Sequence, residues 1–188
     1  MSLQNTIEIP CGDAPHMSLQ NTIKTLLRRR RKMHYRKRST AMRAVLTRVS
    51  SASVAIEGKT VGQIGRGYLI LLGVGPNDTE ETARKLAEKI CNLRVFEDEN
   101  GKMNLNLESV GGSILVVSQF TLYADTSSRR PGFTGAAKPD LAIPLYETFM
   151  AACRERGFTV EHGEFGADMA VTSCNDGPVT ILYDTERK

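Results

Sequence analysis

Side chains able to do chemistry are sparse between Met42 and Lys188. That stretch holds a single histidine, His162. A Ser-His-Asp hydrolase would have to use it. No Gly-x-Ser-x-Gly elbow presents a serine to it. His162 falls on an alternating pattern and reads as an exposed polar residue of a strand. Cys11, Cys91, Cys153 and Cys174 lie far apart without a Cys-x-x-Cys pair, so neither a disulfide framework nor a zinc site is expected. Cys91 and Cys153 occupy apolar helix positions and read as small buried hydrophobes. Gly-x-Gly-x-x-Gly and Gly-x-x-x-x-Gly-Lys-Ser/Thr are absent, which removes the anchors of nucleotide folds. Neither metal nor cofactor is expected.

Two short segments are unusual for plain structure. Ser118-Gln119-Phe120-Thr121-Leu122 puts polar residues at the end of a strand that is otherwise apolar. The plain alternative is a strand emerging into solvent. Asn175-Asp176-Gly177-Pro178-Val179-Thr180 lies between two strand-like runs, where Asp-Gly predicts a hairpin turn. Proline directly after it is less routine, because it removes a ladder donor where the returning strand begins.

The elements that must position these segments follow from periodicity. A strand pattern runs from Ala44 to Ile56, Glu57-Gly58-Lys59 turns the chain, Val61 and Ile64 continue, and Tyr68–Val74 is a buried strand. Asp78-Thr79-Glu80-Glu81 has capping-box spacing with Asp78 as the N-cap. The helix behind it sets Ala83, Leu86, Ala87, Ile90 and Cys91 on one face. Asn100-Gly101 predicts a hairpin, and Ile114–Leu122 a strand. A polar loop over 124–140 leads to a second helix starting near Pro144, which is tolerated at a first helical position. That helix turns Leu145, Phe149, Ala152 and Cys153 inward and stops at Gly157. Strands near Thr159–His162, Met169–Cys174 and Val179–Tyr183 complete the chain. Two helices and about seven strands, with the strands in runs, predict an α+β class with a largely antiparallel or mixed sheet. No linker divides residues 42–188, so they are expected to form one domain.

Charge separates that domain from what precedes it. Of the chain's 25 Lys/Arg and 21 Asp/Glu, residues 1–41 hold nine and two, a net of +7, and residues 42–188 hold 16 and 19, a net of −3. The basicity is all in the first 41 residues. There Met1–Ile7 (MSLQNTI) recurs at Met17–Ile23, followed by Arg28-Arg29-Arg30-Arg31-Lys32 and Arg36-Lys37-Arg38. Two copies of a heptad make no structural repeat, and a run of like charge repels itself. Residues 1–41 are therefore expected to be a basic, disordered extension. It reads as upstream sequence from an early start, as a nuclear or organellar address, or as an RNA-binding arm. No run of about 18 apolar residues predicts a membrane span, and no secretory leader pattern is seen. The expectation is a soluble cytoplasmic protein.

From Met42 onward, the MRAVLTRVSSASV opening, the NLRVFEDENGKMNLNL stretch, SQFTL with its YAD continuation and NDGPVT resemble the D-aminoacyl-tRNA deacylase family. The resemblance covers residues 42–188 and none of 1–41. It departs from the family pattern at TSSRRPGF (126–133), where the family shows a glycine before the arginine pair and a serine after the proline.

The resemblance implies hydrolysis of the ester joining a D-amino acid to the terminal ribose of tRNA. It implies a homodimer with each active site at the interface. In such a dimer Gly177-Pro178, with a cis peptide, projects into the partner's pocket and offers carbonyl oxygens to the substrate's α-amino group. An acceptor that only one enantiomer's ammonium can reach holds that enantiomer and excludes the other. Arg48 is similar to the family arginine that braces this loop, and Asn175 and Thr180 flank it. Ser118, Gln119, Phe120 and Thr121 would build the reaction site, with backbone N–H groups as oxyanion donors. Two mechanisms stay open: Thr121 as covalent nucleophile, or the ribose 2′-OH assisting a water. A net-negative domain offers tRNA little long-range attraction. One resolution is that only the acceptor end is held, by residues such as Arg129, Arg130 and Lys138, with the basic extension adding non-specific RNA affinity. The alternative function is a non-catalytic nucleic-acid-binding module whose affinity lies in the Arg-rich extension.

Overall fold

The computed structural model describes residues 41–186. The readings made on residues 1–40, namely the repeated heptad, Cys11, the Arg-rich run and the disordered extension, lie outside the described residues.

The long strand β1 (Arg43–Ile56) organises the sheet, because its two edges carry three partners. Along one edge its first half pairs antiparallel with β3 (Gly67–Gly73), from Arg43 opposite Gly73 to Val49 opposite Gly67. Its second half on that edge pairs antiparallel with β2 (Lys59–Ile64). The other edge is taken by β8 (Ala170–Asp184), antiparallel from Arg43 opposite Asp184 to Ala55 opposite Ala170. Beyond β3 the sheet continues in parallel through β6 (Ser113–Ser118) to β7 (Val160–His162). The sheet is therefore mixed. Parallel neighbours need long crossovers, and these are α1 (Glu80–Cys91) with the small hairpin of β4 (Phe96–Glu97) and β5 (Met103–Leu105), then α2 (Pro139–Arg154).

The sheet curls until β2 lies against β7. A Cβ added at Gly62 would stand 2.8 Å from the His162 carbonyl oxygen. Inside the curl, Val49, Ala52, Val54, Ile64, Leu69, Leu115 and Val117 form one apolar cluster. On the opposite face both helices cover Ala44, Leu46, Ile70, Leu72, Ile114 and Val116. Coverage on both faces explains why β3 and β6 are continuous apolar runs rather than alternating ones. The α1 face buries Ala83, Leu86, Ala87, Ile90 and Cys91, as the periodicity predicts. Cys153 is buried on α2. Among the described residues no helix is long and apolar enough to cross a membrane.

Several local expectations are corrected. The N-cap of α1 is Thr79, whose side chain accepts from the Thr82 N–H, not Asp78. Asp78 is buried and accepts instead from the backbone N–H groups of Met42 and Gly75, each at 2.7 Å. Two buried amides without a strand partner claim the carboxylate ahead of the helix. Helix α2 starts five residues before Pro144, with Pro139 at its first position. Pro144 costs a helix bond, a loss of about 3 kcal/mol. Full burial of Leu145, Tyr146 and Phe149 behind it, at about 1.5–3 kcal/mol for each such side chain, carries the helix through. The last two predicted strands are one strand, β8, and β6 ends at Ser118 instead of Leu122.

Candidate active-site elements

Asp176-Gly177 is not a hairpin turn. Asn175 pairs with Val49 and Thr180 with Thr47, so Asp176, Gly177, Pro178 and Val179 all face the single residue Arg48. This is a four-against-one bulge in a continuing strand. Pro178 brings no ladder donor to it, and Gly177 takes a φ of +134°, a conformation that favours glycine. The Gly177–Pro178 peptide is cis. Gly177 and Pro178 are exposed, as are Asn175 and Thr180, while Val179 is buried. Thr180 Oγ1 shares a hydrogen bond with Thr47 Oγ1 at 3.5 Å.

Arg48, 4% exposed, fills the space behind the bulge. Its Nε donates to the Asp176 carbonyl at 3.0 Å and lies 3.3 Å from the Asp176 carboxylate. Nη1 donates to the Val95 carbonyl, and Nη2 stands 3.8 Å from Glu97. The guanidinium sits 5.9 Å from the centroid of the Phe96 ring, which stacks on Tyr68 at 5.4 Å. Tyr68 donates to the Leu93 carbonyl, and burial pushes its phenol above the usual range. The bulge is thus tied through one arginine to the segment Leu93–Glu97. Val95, Phe96 and Glu97 lie within the NLRVFEDENGKMNLNL stretch, and nothing in their local sequence reports a partner on β8.

The other segment changes conformation where the strand stops. Gln119 N–H still donates to the Leu72 carbonyl at 2.8 Å, and Phe120–Tyr123 then forms a 3-10 turn. Leu122 N–H returns to the Gln119 carbonyl and Ala124 N–H to that of Thr121. The N–H groups of Phe120 and Thr121 open the turn and have no carbonyl behind them within it. The Gln119 carboxamide donates to the Thr121 hydroxyl. Phe120 is 56% exposed and meets Phe133 edge-on at 5.2 Å. Ser118, Gln119 and Phe120 line a cavity of about 140 Å³ with Tyr146 and Phe165. Tyr146 is fixed by donating to the Val116 carbonyl.

Arg129 and Arg130 are exposed on the loop pinched by backbone bonds between Asp125 and Gly132, and Lys138 is the N-cap of α2. His162 is exposed, as predicted, with Nδ1 2.7 Å from the Gly163 carbonyl, and it does not line the cavity. Among the described residues no group of three or more His, Cys, Asp or Glu could hold a metal ion.

One chain does not bring the bulge and the turn together. The bulge is level with the Arg48–Tyr68 pair, whereas Ser118 is level with Leu72. Three interstrand steps of about 4.8 Å and four residues of about 3.3 Å separate them by about 20 Å.

The model of the D-Tyr-tRNA(Tyr) deacylase family matches residues 45–184. The D-aminoacyl-tRNA deacylase of Thermosipho africanus (strain TCF52B) is 56% identical over 147 residues, covering 78% of this chain and 99% of the relative. That of Shewanella baltica (strain OS185) is 60% identical over 141 residues, covering 74% and 97%. A solved structure described as c-Myc DNA Unwinding Element Binding Protein superposes with a TM-score of 0.71 at 39% identity, covering 75% of this chain and 97% of that one. A probable eukaryotic D-amino acid tRNA deacylase shares the fold, with a TM-score of 0.66 at 20% identity over 77% of this chain and 99% of that one. The matched stretch takes in β1 with Arg48, the turn after β6 and the bulge of β8, and the chain belongs to the D-Tyr-tRNA(Tyr) deacylase family.

Proposed function

We propose that the chain hydrolyses the ester of D-aminoacyl-tRNA, releasing tRNA and the D-amino acid, as a cytoplasmic homodimer. Each site takes the Ser118–Thr121 segment from one protomer and the Gly177–Pro178 bulge from the other. The observation that carries this reading is the register, which sets the two devices three strands and four residues apart in one chain, about 20 Å along the sheet. Gly177 and Pro178 are exposed, and the Ser118–Thr121 segment is half-buried apart from the exposed Phe120. The outer side of β8 supports a second copy beside it, with Leu182 61% and Val171 39% exposed.

The division of labour follows from the groups present. Bulge carbonyls accept from the substrate ammonium and fix which enantiomer fits. The Phe120 and Thr121 amides receive the oxyanion of the tetrahedral intermediate, and one such donor is worth about 2.7–4 kcal/mol. Among the described residues no base is placed on Thr121: its hydroxyl accepts from the Gln119 carboxamide, and His162 Nδ1 lies against the Gly163 carbonyl. This supports attack by water assisted by the ribose 2′-OH, held close by the protein. Arg129, Arg130 and Lys138 supply local charge for the acceptor end, consistent with a domain whose net charge is slightly negative. The family's chemistry needs no metal or cofactor in this scheme.

D-tyrosyl-tRNA and L-tyrosyl-tRNA are the test substrates, and only the first should be turned over. A mixture of two inactive variants, one changed at Gly177–Pro178 and one in the Ser118–Thr121 segment, tests the shared site. A mixed dimer then holds one intact pocket, and activity partly returns. With subunit exchange shown independently, activity that stays at the parental level refutes the shared site. The binding-module alternative places its affinity in the Arg-rich run of residues 28–38. It requires residues 1–41, so full turnover from a chain starting at Met42 excludes it.

A further inference from the structure

We propose that Arg43 and Tyr123 are positioning residues that hold the Phe120–Tyr123 turn in register with the sheet, so that its amides stay aimed at the developing oxyanion. The inference rests on the proposed role of that turn as the reaction centre.

Three strand ends meet behind the turn. Arg43, at the start of β1, faces Gly73 on β3 and Asp184 on β8. Its Nη1 donates to the Leu122 carbonyl at 2.7 Å, inside the turn, and its Nε lies 3.3 Å from the Asp184 carboxylate. The same guanidinium lies 4.8 Å from the centroid of the Tyr123 ring. Tyr123 is buried, and its hydroxyl lies 2.6 Å from the Ala41 carbonyl oxygen and 3.2 Å from that of Gly73. Burial pushes that phenol far above its ordinary range, so it stays a donor. Gly73 makes the close approach possible. A Cβ there would stand 2.9 Å from the Tyr123 ring and 3.0 Å from the Gln119 carbonyl oxygen.

A four-residue 3-10 turn has little rigidity of its own. Its Leu122 carbonyl and Tyr123 ring are anchored to β1, so the preceding peptide planes inherit the sheet's position. The oxyanion exists only in the transition state and its flanking intermediate, so slack in these donors lowers kcat and leaves ground-state binding intact. Misplacement by 1 Å is enough to cost about a hundredfold. Chirality is selected elsewhere, at the β8 bulge, so the preference for D over L should not move.

Single-turnover and steady-state hydrolysis of D-tyrosyl-tRNA by the full chain tests this. Arg43→Met should lower kcat by about ten- to a hundredfold, with KM and the D/L ratio within about twofold of wild type. Arg43→Lys keeps one donor for the Leu122 carbonyl and should recover most of the rate. Tyr123→Phe should lower kcat in the same pattern. If Arg43→Met keeps wild-type kcat, or if Arg43→Lys is no better than Arg43→Met, the assignment is wrong. If Arg43→Met does not fold, Arg43→Lys and Tyr123→Phe decide it, and wild-type kcat in both overturns it. Phe120→Pro compared with Phe120→Ala separates this from the underlying reading. Proline fits the first turn position and deletes one amide, whereas alanine keeps it. Equal rates in those two variants mean that the turn is not the reaction centre, and both ideas fall. A rate lost only in Phe120→Pro, with Arg43→Met fully active, removes the positioning role alone.

Discussion

Replacing Arg48 by Met keeps a chain of similar length against Phe96 and removes the guanidinium. The Asp176 and Val95 carbonyls then lose a charged donor in a nearly dry space, the Arg48 side chain being 5% exposed. A hydrogen bond to a charged group is worth about 1.5–3 kcal/mol. The Asp176 and Glu97 carboxylates are 40% and 58% exposed and turn to water, so the ion pairs add less than about 1 kcal/mol. The Val95 bond bears on stability. The Asp176 bond bears on where the bulge sits. If that bond is spent on holding the bulge, its loss raises the barrier for the D substrate by about 1.5–3 kcal/mol. At 1.36 kcal/mol per tenfold this lowers kcat/KM by roughly 10- to 150-fold. The L substrate does not use the bulge acceptors, so the D/L ratio should narrow by the same factor. Thermal unfolding should fall by about 2–4 °C per kcal/mol lost, as for a domain of this size. Deacylation of both tyrosyl-tRNAs, measured alongside unfolding, checks it. A lower melting temperature with an unchanged D/L ratio would refute a role for Arg48 in selection and leave it a purely structural residue.

Gly177→Ala should abolish most D-tyrosyl-tRNA turnover and cost about 1–3 kcal/mol. Its Cβ would sit 2.8 Å from the Val179 backbone nitrogen at a φ of +134°, and wild-type turnover would show that the bulge is not part of a site. His162→Ala should leave kcat within about twofold, because the imidazole is exposed and bonded to Gly163; a fall beyond about tenfold at constant KM, more than one hydrogen bond supplies, would make it the missing base. Thr121→Ala should cost about tenfold, the scale of one orienting hydrogen bond, and an acyl-enzyme trapped at Thr121 by mass spectrometry would instead establish it as the nucleophile.

Local sequence determined a great deal of this protein. The apolar face of α1 from Ala83 to Cys91, the exposed His162, the buried strand at Tyr68–Val74 and the two segments that carry the site readings all lie in patterns a few residues long. Periodicity and turn chemistry act at that range. What the segments do was decided further away. Asp-Gly-Pro satisfies a hairpin as readily as a bulge, and the bulge prevails because β1 runs on past it and pairs with both Asn175 and Thr180. The brace at Arg48 reaches across 128 positions to Asp176, and the anchor at Arg43 across 79 to Leu122. Pro144 lies inside α2 because burial against the sheet outweighs a helix bond. In each case a long-range partner supplies more free energy than local preference withholds, and no window of neighbouring residues contains that partner.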